Sequence, residues 1–114
     1  RPPPTPPPSP PPPPSRPLAP PQYFRQHAKA QETVLRHNLS TIRQALDQYR
    51  EDHGTNPDTL QDLVSRRYLR EIPLDPLTGK RETWRLQHAD EQGLGDVHSS
   101  APGQANDGTA YADW

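Results

Sequence analysis

Apolar residues are spread unevenly along this chain, and their spacing changes character from one segment to the next. Between residues 22 and 53 there is neither Pro nor Gly, and the helix formers Ala, Leu, Gln, Glu and Arg dominate. Leu35, Leu39, Ile42, Leu46 and Tyr49 recur at intervals of four, three, four and three. Ala28, Val34 and Ala45 widen that stripe, while Arg36, Arg43, Asp47, Arg50 and Glu51 fall largely elsewhere. The pattern predicts one amphipathic helix with a single apolar face, roughly 45 Å long at the usual helical rise. His53 followed by Gly54 gives a cation in its last turn and a left-handed cap. A second, short helix is expected after Asn56-Pro57, through Leu60, Leu63 and Val64, with Asp58 in its first turn.

The next segment, Tyr68-Leu69-Arg70-Glu71-Ile72-Pro73-Leu74-Asp75-Pro76-Leu77-Thr78-Gly79, obeys neither period. Two prolines three residues apart fix φ and remove two backbone donors, which excludes a helix interior and a central strand. Thr78-Gly79 supplies a turn. Yet Leu69, Ile72, Leu74 and Leu77 are aliphatic, so this irregular segment is expected to be pinned onto the long helix. Beyond it, Glu82-Thr83-Trp84-Arg85-Leu86-Gln87 alternates as a half-buried strand does. A turn over residues 89–93 and a returning strand over 94–98 complete a hairpin of two or three short strands. The predicted fold is α+β: the long helix packed on the short helix, the two-proline segment and a small antiparallel sheet. The expected core is Leu39, Ile42, Leu46, Tyr49, Leu63, Leu69, Ile72, Leu74 and Trp84, and Leu35 is expected to be buried with them.

Taken in order, the long helix, Gly54, the Pro57-led helix with Leu60-Gln61-Asp62-Leu63-Val64, the two-proline segment and Gly79 resemble the C-terminal soluble domain of the major pseudopilins, the type II secretion protein G family. Trp84, Asp96-Val97-His98-Ser99 and the closing Asp107-Gly108-Thr109-Ala110-Tyr111-Ala112-Asp113-Trp114 fit its hairpin, loop and C-terminus, so the likeness spans roughly residues 20–114. It implies a pilin-like structural subunit of a secretion pseudopilus or related filament. Such a subunit is periplasmic, anchored in the inner membrane by an apolar N-terminal segment, and partnered by copies of itself and other secretion-system subunits. The N-terminal part of the long helix, with Tyr23, Phe24, Ala28, Val34 and Leu35, would then face neighbouring copies.

Residues 1–21 depart from that family. They hold 14 of the 18 prolines and no acidic residue, where the family carries its apolar anchor. Such a tract cannot build a core and is expected to be disordered or a polyproline helix, a domain boundary falling at residues 21 and 22. Two origins are open: a genuine stiff linker, or leucine, valine and alanine codons read in another frame. Its P-x-x-P spacings also fit an aromatic-lined groove, which gives the alternative function, a soluble adaptor whose proline tract binds a partner domain.

Composition narrows the rest. A net charge of −1 with interspersed signs argues against nucleic acid, which wants a basic stripe. Arg66, Arg67 and Arg70 cluster, as a solvated helix end does. Cysteine is absent, which excludes disulfides and thiolate chemistry. Ser40, Ser65, Ser99 and Ser100 lack a nucleophile context, and the five histidines show no paired ligand spacing, so no catalytic residue is expected. The resemblance implies calcium in a C-terminal loop, here on Asp107 and Asp113 with Asp96 nearby. Against it, the expected acidic turn reads Ala101-Pro102-Gly103 and brings no carboxylate, which leaves Asp107-Gly108 equally readable as an ordinary turn.

Overall fold

The computed structural model describes residues 1–11 and 21–114, the side chains of residues 21–25 and Asp90 excepted. Residues 1–11 are exposed and in neither helix nor strand, and the remainder of the expected proline tract, residues 12–20, lies outside the described residues. The first element, α1 (Pro21–His53), opens on a proline, whose missing N–H costs nothing in a first turn. Leu35, Leu39, Ile42, Ala45 and Leu46 are buried on one face, and Tyr49 packs against them. Arg50 and His53 occupy the last turn, and Gly54, at φ 76°, donates its N–H to the Arg50 carbonyl at 2.8 Å.

The short helix α2 (Leu60–Ser65) starts later than Pro57 and Asp58 suggest. Its N-terminus is set by a capping box. Thr59 Oγ1 accepts from the Asp62 amide, and the Asp62 carboxylate accepts from the Thr59 and Asp58 amides, each at 3.2 Å. The acidic residue of the first turn is therefore Asp62, not Asp58. Pro57 is buried instead, and its carbonyl accepts the Leu94 amide at 2.7 Å. Asn56 and Pro57 pass so close to Gly93 that a Cβ there would lie 2.8 Å from both carbonyl oxygens. Leu60 and Leu63 bury the inner face of α2.

The C-terminus of α2 closes with a Schellman pair: Tyr68 N–H to Leu63 O at 2.8 Å and Arg67 N–H to Val64 O at 3.1 Å. That motif needs a left-handed residue, and the residue here is Arg67, at φ 66°. Glycine takes this conformation freely, whereas a residue with a Cβ loses ~1–2 kcal/mol in it.

The two-proline segment is irregular, as expected, and is fastened through a carboxylate. Asp75 is fully buried; its Oδ1 accepts the Leu77 amide at 2.8 Å and the Thr78 amide at 3.3 Å. Its Oδ2 accepts the Ser99 hydroxyl at 2.7 Å, and Ser99, also fully buried, accepts the Ala101 amide at 3.1 Å. Leu69 is buried and Ile72 and Leu77 pack on the core. Leu74 does not belong to it, being 40% exposed. Neighbours in an extended chain point to opposite sides, and Asp75 takes the inward position. Trp84 is buried and donates its indole N–H to the Pro73 carbonyl at 2.8 Å.

The sheet is a two-stranded antiparallel hairpin, β1 (Arg85–His88) and β2 (Leu94–His98), joined by a short 3-10 turn, Asp90–Gln92. Leu86 pairs with Val97 and Gln87 with Asp96, and the register slips between Gln87 and His88. The first strand starts at Arg85 rather than Glu82, and it is exposed rather than half-buried, with Leu86 41% exposed. The reason is position: β2 lies against α1 and supplies the buried Leu94 and Val97, while β1 is the outer edge. After β2, Ala101, Ala105 and Tyr111 anchor the terminal segment, which ends in a 3-10 turn, Tyr111–Asp113. The architecture is α+β.

Burial separates two leucines that look alike in sequence. Leu46→Ala should destabilise the domain by ~2–5 kcal/mol, whereas Leu74→Ala should cost under ~1 kcal/mol. Urea unfolding of the two variants measures the difference directly.

Candidate functional site

Two features of α1 bear on function: its outer turns, and the row of side chains through which the domain grips it. In the outer turns Gln26, His27, Lys29 and Ala30 are exposed and Ala28 is half-buried. Tyr23 and Phe24 are helical in backbone, but their side chains lie outside the described residues. Val34 is 47% exposed. Leu35 does not share that freedom. It is fully buried in the domain's own core, so it is not a residue that can face a neighbouring copy.

The grip includes Gln31, whose Nε2 donates to the Pro76 carbonyl at 3.3 Å. Glu32 accepts the Tyr111 hydroxyl at 2.8 Å, and Asn38 Nδ2 donates to the Leu74 carbonyl at 2.7 Å. Arg36 lays its guanidinium 4.0 Å over the Trp114 ring, with Asp107 Oδ2 at 3.8 Å. Arg43 donates to Asp96 Oδ1 at 2.9 Å and to the Val97 carbonyl at 3.0 Å. The Trp114 ring is fixed from other sides as well: edge-on to Tyr111 at 5.3 Å, and by its indole N–H to Thr109 Oγ1 at 2.9 Å. His98 meets the Trp114 main-chain oxygen through Nδ1 at 2.7 Å and Gln87 Oε1 through Nε2 at 3.0 Å.

Charge states follow from these contacts. Burial, assisted by the hydrogen bond to Glu32, pushes the Tyr111 phenol up to about 12. Hydrogen bonds from the Thr109 hydroxyl and amide, with Arg36 nearby, hold the Asp107 carboxyl below its usual value. The sequence reading had not singled out Glu32, Arg36 or Arg43 for this role. Their spacings of four and seven put them on one side of α1, flanking the apolar stripe, and that was the available signal.

Asp107 and Asp113 do come to one depression, which Asp96, Arg36, Arg43 and Trp114 also line. The Asp96 carboxylate is taken by Arg43 and by the Val97 amide at 2.8 Å. Among the described residues no three His, Cys, Asp or Glu side chains are grouped to hold a metal ion. The loop also carries bonds and buried side chains of its own. Ala105 N–H bonds the Thr109 carbonyl at 2.8 Å, Gly108 N–H the Ala105 carbonyl at 3.0 Å, and Ala101, Ala105 and Tyr111 are buried.

No family model, no curated protein and no solved structure matches the chain.

Two outcomes follow from this geometry. Folded Tyr111 holds its proton to about 12, above the ordinary value of 10.0, so the stability it lends is complete below pH 10. That stability is lost as pH rises from 10 towards 12. Tyr111→Phe should flatten this alkaline decline in urea unfolding. Calcium on Asp107 and Asp113 is testable by thermal unfolding in excess calcium and in chelator. Binding at a hundred times Kd would add ~2.7 kcal/mol and raise the midpoint by more than ~10 °C. With Asp107 already bonded to Thr109, coincident midpoints are expected. A rise that vanishes in Asp107→Ala combined with Asp113→Ala would establish the site.

Proposed function

We propose that this chain is a pseudopilin-like structural subunit of a type II secretion pseudopilus or a related pilus-like filament. It serves protein export in the periplasm by stacking helically with copies of itself and with other secretion-system subunits. The reading assigns it no catalysis and no nucleic acid. Among the described residues no helix is long and apolar enough to cross a membrane, so membrane attachment would come through a segment preceding the domain.

One observation carries this reading. Near the outer end of the 33-residue α1 the side chains of Gln26, His27, Lys29 and Ala30 are exposed, ahead of the row of residues from Gln31 to Arg43 that bonds to the rest of the domain. A helix used only to build this domain's core has no need of those turns. A helix whose outer end packs among neighbours does. The order of the elements supports the same reading: a long helix leads into a capped short helix, a two-proline clasp and a small hairpin.

The adaptor alternative rests on a different observation, the exposure of residues 1–11, which lie in no helix or strand. Cross-linking separates the two. The chain has no cysteine, so Gln26→Cys and Lys29→Cys introduce single reactive sites on the outer turns. In cells making the intact subunit, oxidation or a short bifunctional maleimide should produce a ladder of multimers, and deletion of residues 1–21 from the purified chain should leave it monomeric and folded. If no multimers form, and the proline tract accounts for every detectable interaction, the adaptor reading replaces the filament.

A further inference from the structure

Among the described residues, six adopt the left-handed backbone region, and five of them are glycines: Gly54, Gly79, Gly93, Gly103 and Gly108. The sixth is Arg67, at φ 66°. Nothing in the Schellman turn needs its side chain, because the motif is made by main-chain bonds alone: Arg67 N–H to Val64 O and Tyr68 N–H to Leu63 O. Glycine would make the same two bonds without the Cβ penalty. A cation near a helix C-terminus is mildly favourable, but Arg66, at the cap itself, already supplies one.

The surroundings sharpen the point. Arg66, Arg67 and Arg70 are exposed. Among the described residues, no ion pair or side-chain hydrogen bond reaches their guanidiniums. Beside them stands an aromatic group built from α1 and the turn. The Tyr49 and His53 rings lie 4.3 Å apart, and Tyr68 sets its edge to Tyr49 at 5.4 Å and to His53 at 6.1 Å. Its hydroxyl donates to Asp52 Oδ2 at 2.7 Å and lies 3.2 Å from His53 Nε2. Tyr68 is thereby fixed in orientation while part of it remains accessible.

We propose that the Arg66–Arg67 turn, with Tyr68 and His53 beside it, is a docking surface for a carboxylate-rich segment of a partner protein. The strain at Arg67 has no return inside the fold, so its return lies in an external contact. A guanidinium fork matches a carboxylate through two parallel hydrogen bonds, and rigid aromatic rings next to arginine are the composition of interface hot spots. Three arginines make a small patch and not the extended basic stripe that a nucleic acid or an anionic membrane wants, and with a net charge of −1 on the chain a short acidic segment is the anion that fits. This surface lies beyond the outer turns of α1 and stands or falls independently of the filament reading.

The test uses the full chain, isotopically labelled, and a synthetic peptide of alternating Glu and Gly. The Gln counterpart, phosphatidylglycerol vesicles and a single-stranded oligonucleotide serve as the other arms. The acidic peptide should move the amide resonances of Arg66, Arg67 and Tyr68 and the ring signals of His53, with an affinity that falls as salt rises. Arg67→Gly should raise the thermal midpoint by roughly 4–8 °C while weakening the peptide at least about tenfold. Arg67→Ala, which keeps the backbone cost, should lose the peptide equally without that gain. Unchanged affinity in Arg67→Gly, a response to the Gln peptide as large as to the Glu peptide, or a stronger response to vesicles or oligonucleotide would overturn the proposal.

Discussion

The buried carboxylate of Asp75 is the constraint around which the rest of this domain is arranged. A carboxyl group with no access to water is tolerable only if its oxygens find hydrogen-bond partners. Here the donors come from two distant places: amides of its own turn, Leu77 and Thr78, and the hydroxyl of Ser99, which begins the terminal loop. The two-proline segment and the terminal loop therefore cannot be placed independently. Moving either one strips donors from a buried group, and the loss is then the full desolvation of a carboxylate rather than one hydrogen bond. No buried side-chain nitrogen or oxygen among the described residues lacks a partner, so the arrangement closes.

That coupling explains how a chain with only 28% hydrophobic residues holds a defined fold. The apolar core is a strip: one face of α1, Leu60 and Leu63 of α2, Leu69, Trp84, two residues of β2, and Ala101, Ala105 and Tyr111 beyond. Long irregular stretches lie over it, and burial alone would leave them many equivalent positions. Directed bonds choose among those positions. Trp84 selects the Pro73 carbonyl, Asn38 the Leu74 carbonyl, and Arg43 the end of β2. Apolar contact supplies most of the free energy, and polar contact supplies the registration.

The elements that repeat with a period were the ones legible in advance. Leu35, Leu39, Ile42, Leu46 and Tyr49 announced α1 because a helix of this length repeats its pattern several times. The two prolines announced an irregular clasp because their chemistry forbids the alternatives. Shorter features depended on single contacts that spacing does not encode. The start of α2 followed Thr59 and Asp62 rather than Pro57. Leu74 looked like core from its type, but the inward position went to Asp75, a residue whose composition class is the opposite. Leu35 was readable both as core and as outer helix, and only the placement of the domain along α1 decided it. The Glu32, Arg36 and Arg43 row was visible as a polar flank, yet its partners lie 53 to 79 residues away and could not be named.

The way the domain holds α1 also has a mechanical side. Pro76, Tyr111, Asp107, Leu74 and the end of β2 all reach across to the helix, so they act on it side by side rather than one after another. A force drawn along the helix axis loads these fastenings in parallel, in shear, and none can give way without the others. A force prising the helix sideways from its C-terminal end would meet them in turn, beginning where Tyr49 leans on Tyr68. The domain is thus built as a sleeve on a shaft, stiff to traction along the shaft and yielding to leverage across it.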